Sequence, residues 1–281
     1  MMQFSTLIDR SELAARVARE DWVVLDCRFA LDDPEAGRLR YLEGHIPGAQ
    51  YADLERDLSD PPISGVSGRH PLPGRDALSR KFRVWGVNPD SQLVAYDAGN
   101  GAFAARLWWL ARWLGHGAVA VLDGGFAAWR EAGLPVDKAR VAARPQGRFR
   151  ARRALTQEVD ATAVLDALNS STIIVDARAR ERYRGEVEPI DPVAGHIPGA
   201  RCAPFDENLD ARGRWLSPAS LARRFADLHA AQAICYCGSG VTATHDILAV
   251  VHAGLPEPAL YPGSWSEWIQ DPDRPIARGN D

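Results

Sequence analysis

Short unbroken runs of aliphatic, often β-branched residues alternate along the chain with longer stretches in which apolar positions recur at helical spacing. Val23-Val24-Leu25 and Ile173-Ile174-Val175 are continuous rather than alternating, which predicts strands buried on both faces of a parallel sheet. Residues 93–96 and 233–236 predict a second buried strand of the same kind in each half. Each of these runs through a glycine-containing turn into a helical pattern, 103–114 in the first half and 241–252 in the second. Strand, tight turn and helix in that order is the grammar of an α/β domain.

The two halves also repeat in letters. VVLDCR at 23–28 matches IIVDAR at 173–178, and GHIPGA at 44–49 recurs unchanged at 195–200, about 150 residues further on. LDGGFAAW, ending at Trp129, resembles YPGSWSEW, ending at Trp268. A fixed long offset with conserved order implies two copies of one fold. The reading is a first domain over 1–136, a basic linker over 137–153 and a second domain over 154–281. The linker, DKARVAARPQGRFRARR, has seven basic residues and no hydrophobic period. It reads as a solvated connection draped over the other domain, in preference to a polyanion site.

Composition narrows the function. The 281 residues are 46% hydrophobic and 25% charged, as in ordinary globular proteins, which excludes dominant disorder. Lys plus Arg number 33 against 37 acidic residues, a net charge of -4, so nucleic acid and anionic lipid are not expected partners. The most apolar stretches, 104–122 and 247–255, are broken by Arg106 and Arg112 or too short for the roughly 20 apolar residues of a membrane span. Charge from residue 9 onward does not suit a secretory leader, and a cytoplasmic location is expected. Four cysteines, at 27, 202, 235 and 237, give neither a disulfide framework nor a CxxC metal pair.

In open α/β sheets ligands bind beyond the carboxyl ends of strands, which directs attention to the turn after Tyr236. It reads Cys237-Gly238-Ser239-Gly240-Val241-Thr242. Two glycines let the backbone curl with several N–H groups pointing inward, and the positive end of the next helix faces the same place, a setting that favours an anionic sulfur at Cys237. The matching turn of the first half, Asp97-Ala98-Gly99-Asn100-Gly101, has no sulfur and is one residue longer; Asp97 reads as a capping or turn residue. Cys235 reads as strand core, with a resolving thiol as the alternative, and Cys27 and Cys202 have no polar constellation about them in sequence. Trp265 and Trp268 read as packing, with a wall of the site as a second role.

These residues together resemble the two-domain rhodanese family of sulfurtransferases over nearly the whole chain. The resemblance rests on the GHIPGA segments, DAGNGAFAARLWWLARWLGH at 97–116, the closing GSWSEW and, most specifically, CGSGVTA at 237–243. It implies two tandem rhodanese-like domains, each a mostly parallel sheet flanked by helices, with the first domain non-catalytic (Asp97 in place of cysteine) and the second catalytic. The CGSGVTA loop is similar to that of 3-mercaptopyruvate sulfurtransferases, whereas thiosulfate sulfurtransferases typically carry cationic residues just after the cysteine. Cysteine phosphatases share this loop geometry but need an arginine six residues after the nucleophile, where this chain has Ala243.

The activity so implied is a double displacement. Cys237 takes a sulfur atom from the donor as a persulfide and passes it to a thiol, a dithiol protein or cyanide, with no cofactor beyond that covalent intermediate. Ser239 would assist by hydrogen bonding, His70 would complete a relay across the domain interface, and Glu55 would orient that histidine. Backbone N–H groups of Gly238, Gly240, Val241 and Thr242 would hold the sulfur anion. In Asp176-Ala177-Arg178-Ala179-Arg180-Glu181-Arg182, guanidinium groups follow a strand end and suit bidentate carboxylate pairing. Arg182 matches the family's carboxylate-binding arginine, Arg178 reads as structural and tied to Asp176, and Arg180 as solvent-facing. The family's second arginine, in a segment of the EPEPR type, is absent from Glu186-Val187-Glu188-Pro189-Ile190-Asp191, and Arg69 is the candidate to replace it. 3-Mercaptopyruvate is the expected donor, on the argument that the loop itself supplies no positive charge. Thiosulfate is the alternative donor, and a non-catalytic persulfide-carrying module that binds a partner is the alternative class.

Overall fold

In the computed structural model, residues 3–138, 143–229 and 231–280 are described. The chain divides into two compact units. Unit 1 comprises Met1–Asp60, Pro73–Leu155 and Ala211–Trp215; unit 2 comprises Pro61–Leu72, Thr156–Asp210 and Leu216–Asp281. This division differs from the one read off the repeat in three places: residues 61–72 pack as part of unit 2, 211–215 as part of unit 1, and unit 1 continues through the span read as a linker to Leu155.

Among the described residues, unit 1 has five strands: β1 (Leu7–Ile8), β2 (Trp22–Asp26), β3 (Gln50–Tyr51), β4 (Gln92–Tyr96) and β5 (Val119–Leu122). They form one parallel sheet in the order β1-β5-β4-β2-β3. Unit 2 has β6 (Ile173–Asp176), β7 (Arg201–Cys202), β8 (Ala233–Tyr236) and β9 (Ala259–Leu260), parallel in the order β7-β6-β8-β9. Of the central strands, β2 and β4 are buried at all five positions and β8 at all four, while β6 is partly exposed only at Ile173, as their apolar runs require. The predicted helices are realised as Ala104–Trp113 and Ala243–His252. β4 and β8 are central in their sheets, and each hands the chain directly to the turn before its helix.

The repeated letters turn out to be one bracing device made twice. Arg28 pairs with Asp26 at 2.6 Å and donates to the Gly44 carbonyl at 2.6 Å. Arg178 pairs with Asp176 at 2.6 Å and donates to the Gly195 carbonyl at 2.8 Å. The histidine of each GHIPGA is fully buried, donates its Nδ1–H to the Tyr41 or Tyr183 carbonyl, and stacks on that tyrosine ring. The next residue's N–H donates to the hydroxyl of Tyr96 or Tyr236, the last residue of the central strand. GHIPGA therefore ties the loop before β3 or β7 to the end of the strand that carries the turn.

Of the segment read as a basic linker, 139–142 lie outside the described residues. The remainder from 143 lies along unit 1. Gly147 N–H bonds the Arg83 carbonyl, Phe149 N–H the Val87 carbonyl and Arg152 N–H the Leu114 carbonyl, and Phe149 is only 2% exposed. No described helix is long and apolar enough to cross a membrane.

Candidate active site

Cys237 is the first residue after β8 and is buried. Its backbone is held on both sides by the segment after β9. Cys237 N–H donates to Ser264 Oγ at 3.1 Å, Trp265 N–H to the Cys237 carbonyl at 3.0 Å, and Ser266 N–H to the Gly238 carbonyl at 2.9 Å. Ser264 Oγ in turn donates to the Tyr261 carbonyl. Gly240 has φ +76°, and a Cβ there would stand 2.4 Å from the Pro262 carbonyl oxygen, so only glycine fits this bend. Among the described residues the N–H groups of Gly238, Ser239, Val241, Thr242 and Ala243 donate to no protein acceptor. A curl of such donors leading into the helix Ala243–His252 is a site for an anion.

The corresponding turn of unit 1 shows what fills such a curl. The Asp97 carboxylate, 1% exposed, accepts N–H bonds from Gly99, Gly101, Phe103 and Ala104 at 2.9–3.3 Å. Burial raises its pKa, against the pull of those four donors. Unit 1 thus closes its cradle with its own side chain, and unit 2 puts a thiol at the same point.

Ser239 Oγ lies 2.8 Å from His70 Nδ1, both residues nearly buried. The bond lies within unit 2, because 61–72 belongs to that unit, rather than across a boundary between domains. The segment is drawn in by Arg69 N–H on Ser266 Oγ at 3.0 Å and by the close pass of Gly68 over the Gly263 carbonyl. Glu55 belongs to unit 1 and is exposed. Its N–H bonds the Asp53 carboxylate, and its own carboxylate has no hydrogen bond or ion pair among the described residues.

Arg182 and Arg69 both reach the loop. A Cβ at position 238 would stand 2.9 Å from Arg69 Nη2 and 3.5 Å from Arg182 Nη1 and Nη2, so both guanidinium ends lie close over the loop. The loop contributes no positive charge of its own, and two guanidinium groups arrive over it from elsewhere in the unit. Each is held by acids that the sequence reading passed over. Glu188 receives Arg182 Nε at 3.1 Å and Nη2 at 2.8 Å, and Asp191 receives Arg182 Nη2 at 3.1 Å and Arg69 Nη1. Burial pushes the Glu188 carboxyl up, but the Arg182 hydrogen bonds and the N–H groups of Asp191 and Ile190 prevail and lower its pKa. Burial wins at Asp191, whose pKa is raised despite Arg69 and Arg182. Arg178 is braced on Asp176 as read, and Arg180 pairs with Glu207 on the exposed side.

Three of the four thiols are held protonated by their surroundings. Burial, with Asp26 adding to it at Cys27 and Asp246 at Cys235, pushes both of these pKa values well above the ordinary range, and burial takes half-buried Cys202 to about 11. Trp265 and Trp268 are fully buried, with indole N–H groups on the Val193 and Pro275 carbonyls, and act as packing. Ser264 escaped the sequence reading. Its available signal was the pairing of LDGGFAAW with YPGSWSEW, in which Ser264 stands opposite Gly125. The described residues hold no group of three or more His, Cys, Asp or Glu able to bind a metal ion.

Comparison with known proteins places the chain in a family. Residues 9–132 and 160–271 match the family profile described as the rhodanese-like domain. A Pseudomonas aeruginosa protein named "Probable 3-mercaptopyruvate sulfurtransferase" is 52% identical over 99% of this chain and 100% of its own length. A thiosulfate sulfurtransferase of Cricetulus griseus is 35% identical over 91% of this chain and 88% of its own. Among solved structures, the 3-mercaptopyruvate sulfurtransferase of Escherichia coli superposes with TM-score 0.81 at 33% identity, over 94% of this chain and all of that one.

Proposed function

Given that the chain belongs to the rhodanese-like family, we propose that it is a sulfurtransferase that takes sulfur from 3-mercaptopyruvate onto Cys237 and hands it to a thiol or to cyanide, releasing pyruvate. The observation that carries the reading is Cys237 set in a curl of unengaged N–H groups, with the Ser239–His70 pair on one side and two arginines above.

The thiolate of Cys237 attacks the donor sulfur, the donor C–S bond breaks, and its electron pair passes into the enolate of pyruvate. The enolate then takes up a proton. His70 and Ser239, joined at 2.8 Å, can relay the proton that the donor thiol gives up and the enolate gains. The loop N–H groups stabilise the outer persulfide sulfur as an anion. An acceptor thiolate attacks that sulfur, the S–S bond breaks, and the Cys237 thiolate is restored, so no cofactor is required. Arg182 and Arg69 direct Nη atoms over the loop and would position the donor carboxylate, while Glu55 keeps only the role that the family resemblance gives it. Four free cysteines, three of them held as thiols, suit a reducing cytoplasm.

Thiosulfate is the second reading, favoured by the guanidinium groups over Gly238. Steady-state kinetics with both donors, using cyanide and a reduced dithiol protein as acceptors, decides between them. We expect kcat/KM for 3-mercaptopyruvate to exceed that for thiosulfate at least tenfold. Donor without acceptor should add one sulfur atom at Cys237 alone, read by intact-mass and peptide mass spectrometry. Sulfur on another cysteine, or turnover by Cys237→Ser, refutes the assignment.

A further inference from the structure

We propose that Asp191 sets the donor preference of the Cys237 site, by holding two arginines over the loop while cancelling their charge. The proposal rests on the sulfurtransferase reading above and concerns why that site would favour a monocarboxylate over a dianion.

Asp191 is the bridge between the guanidinium groups. One carboxylate oxygen pairs with Arg69 Nη1 and the other with Arg182 Nη2, while Glu188 takes Nε and Nη2 of Arg182. Arg69 is gripped through Nη1, with its Nη2 toward Gly238, and Arg182 through Nε and Nη2, with Nη1 and Nη2 equally near Gly238. A third arginine, Arg178, closes the cluster on Asp176 and Glu188. Three cations therefore meet three carboxylates, and the assembly over the loop is neutral. The carboxylate side chain of Asp191 is only 3% exposed, so solvent does little to damp its charge.

A neutral canopy with two directed Nη donors distinguishes the donors by chemistry. A carboxylate remote from the reacting sulfur needs oriented N–H bonds, which the gripped guanidinium groups offer without reorganising. Thiosulfate is a dianion that releases sulfite beside the attacked sulfur, and its transition state gains most from net positive charge at that point. Asp191 denies it that charge. The same carboxylate lines a groove of about 530 Å³ with Arg69, Ile63, Ile190 and Ile269.

The test is the ratio of kcat/KM for thiosulfate to that for 3-mercaptopyruvate. Asp191→Asn keeps the shape and removes the charge, and the ratio should rise at least tenfold, with thiosulfate turnover becoming more sensitive to salt than in the wild type. Asp191→Glu keeps the charge and should hold the ratio within about threefold. Asp191→Ser replaces the Asn variant if circular dichroism shows the latter unfolded. A folded Asn or Ser variant with an unchanged ratio, or with both donors reduced equally, overturns the proposal. A wild-type measurement needs no variant: pyruvate should slow alkylation of Cys237 by iodoacetamide at lower concentration than sulfate does, and the reverse order also overturns it. Wild-type protein inert toward both donors would refute the sulfurtransferase reading itself, and this proposal with it.

Discussion

Ser264 holds φ +55° in a fully buried position, the sole non-glycine residue with positive φ among those described. Opposite it in unit 1, Gly125 adopts φ +54°. The left-handed conformation disfavours a side chain by roughly 1–2 kcal/mol, and unit 2 tolerates it where a hydroxyl meets the Cys237 N–H. Strain of this kind points to function when the partner is the reacting residue. Ser264→Gly relieves the torsion while deleting the hydroxyl, so its melting temperature should stay within a few degrees of wild type. Ser264→Ala keeps the torsion and loses the hydrogen bonds, and should lose about 1–3 kcal/mol. Both variants should lose roughly tenfold in kcat, a rise of about 1.4 kcal/mol in activation free energy. A Gly variant with full activity would reduce Ser264 to a packing residue.

Helix Ala243–His252 carries the next consequence. Asp246 is fully buried on it, with one oxygen on Asn208 Nδ2 at 2.6 Å and the other without a partner among the described residues. Burial raises its pKa from 3.8 to about 7. Between those values the unfolded chain has released the proton that the folded chain retains. Stability from this group is therefore complete below about pH 4, declines as pH rises toward 7, and is flat above. Urea midpoints across pH 4.5–7.5 should show a shallower decline in Asp246→Asn, by up to about 1 kcal/mol per pH unit; an unaltered slope would contradict the assignment. At this scale the long elements were legible because β2, β4, β6 and β8 carry continuous apolar runs and the turns after Tyr96 and Tyr236 follow in the same order in both halves. The strands β1, β3, β7 and β9 have two residues each, too few to display a period. Residues 61–72 could not be assigned to unit 2 from sequence, since Arg69 and His70 find Asp191 and Ser239 only through tertiary packing. Glu188 and Asp191 are indistinguishable in sequence from ordinary solvated acids, because the arginines that they hold reach them only in the folded unit.

Across the whole molecule, the duplicated fold carries one open cradle and one that is self-filled. In Asp97→Ala the four N–H groups around that carboxylate lose their acceptor in a site almost closed to water, and the full-length chain should lose about 2–4 kcal/mol of stability. An unshifted denaturation midpoint would show that water replaces the carboxylate freely. The occupant of the unit 1 cradle is also tethered by a single side chain to the strand that ends beneath it. A group held and oriented in that way competes at an effective concentration far above any attained by a dissolved ion. Among the described residues the repeat is therefore twofold in architecture and single in use: the carboxylate of Asp97 keeps the N–H groups of its turn from a dissolved anion, so saturation of the intact chain by an anion at such a turn should report on the second half alone.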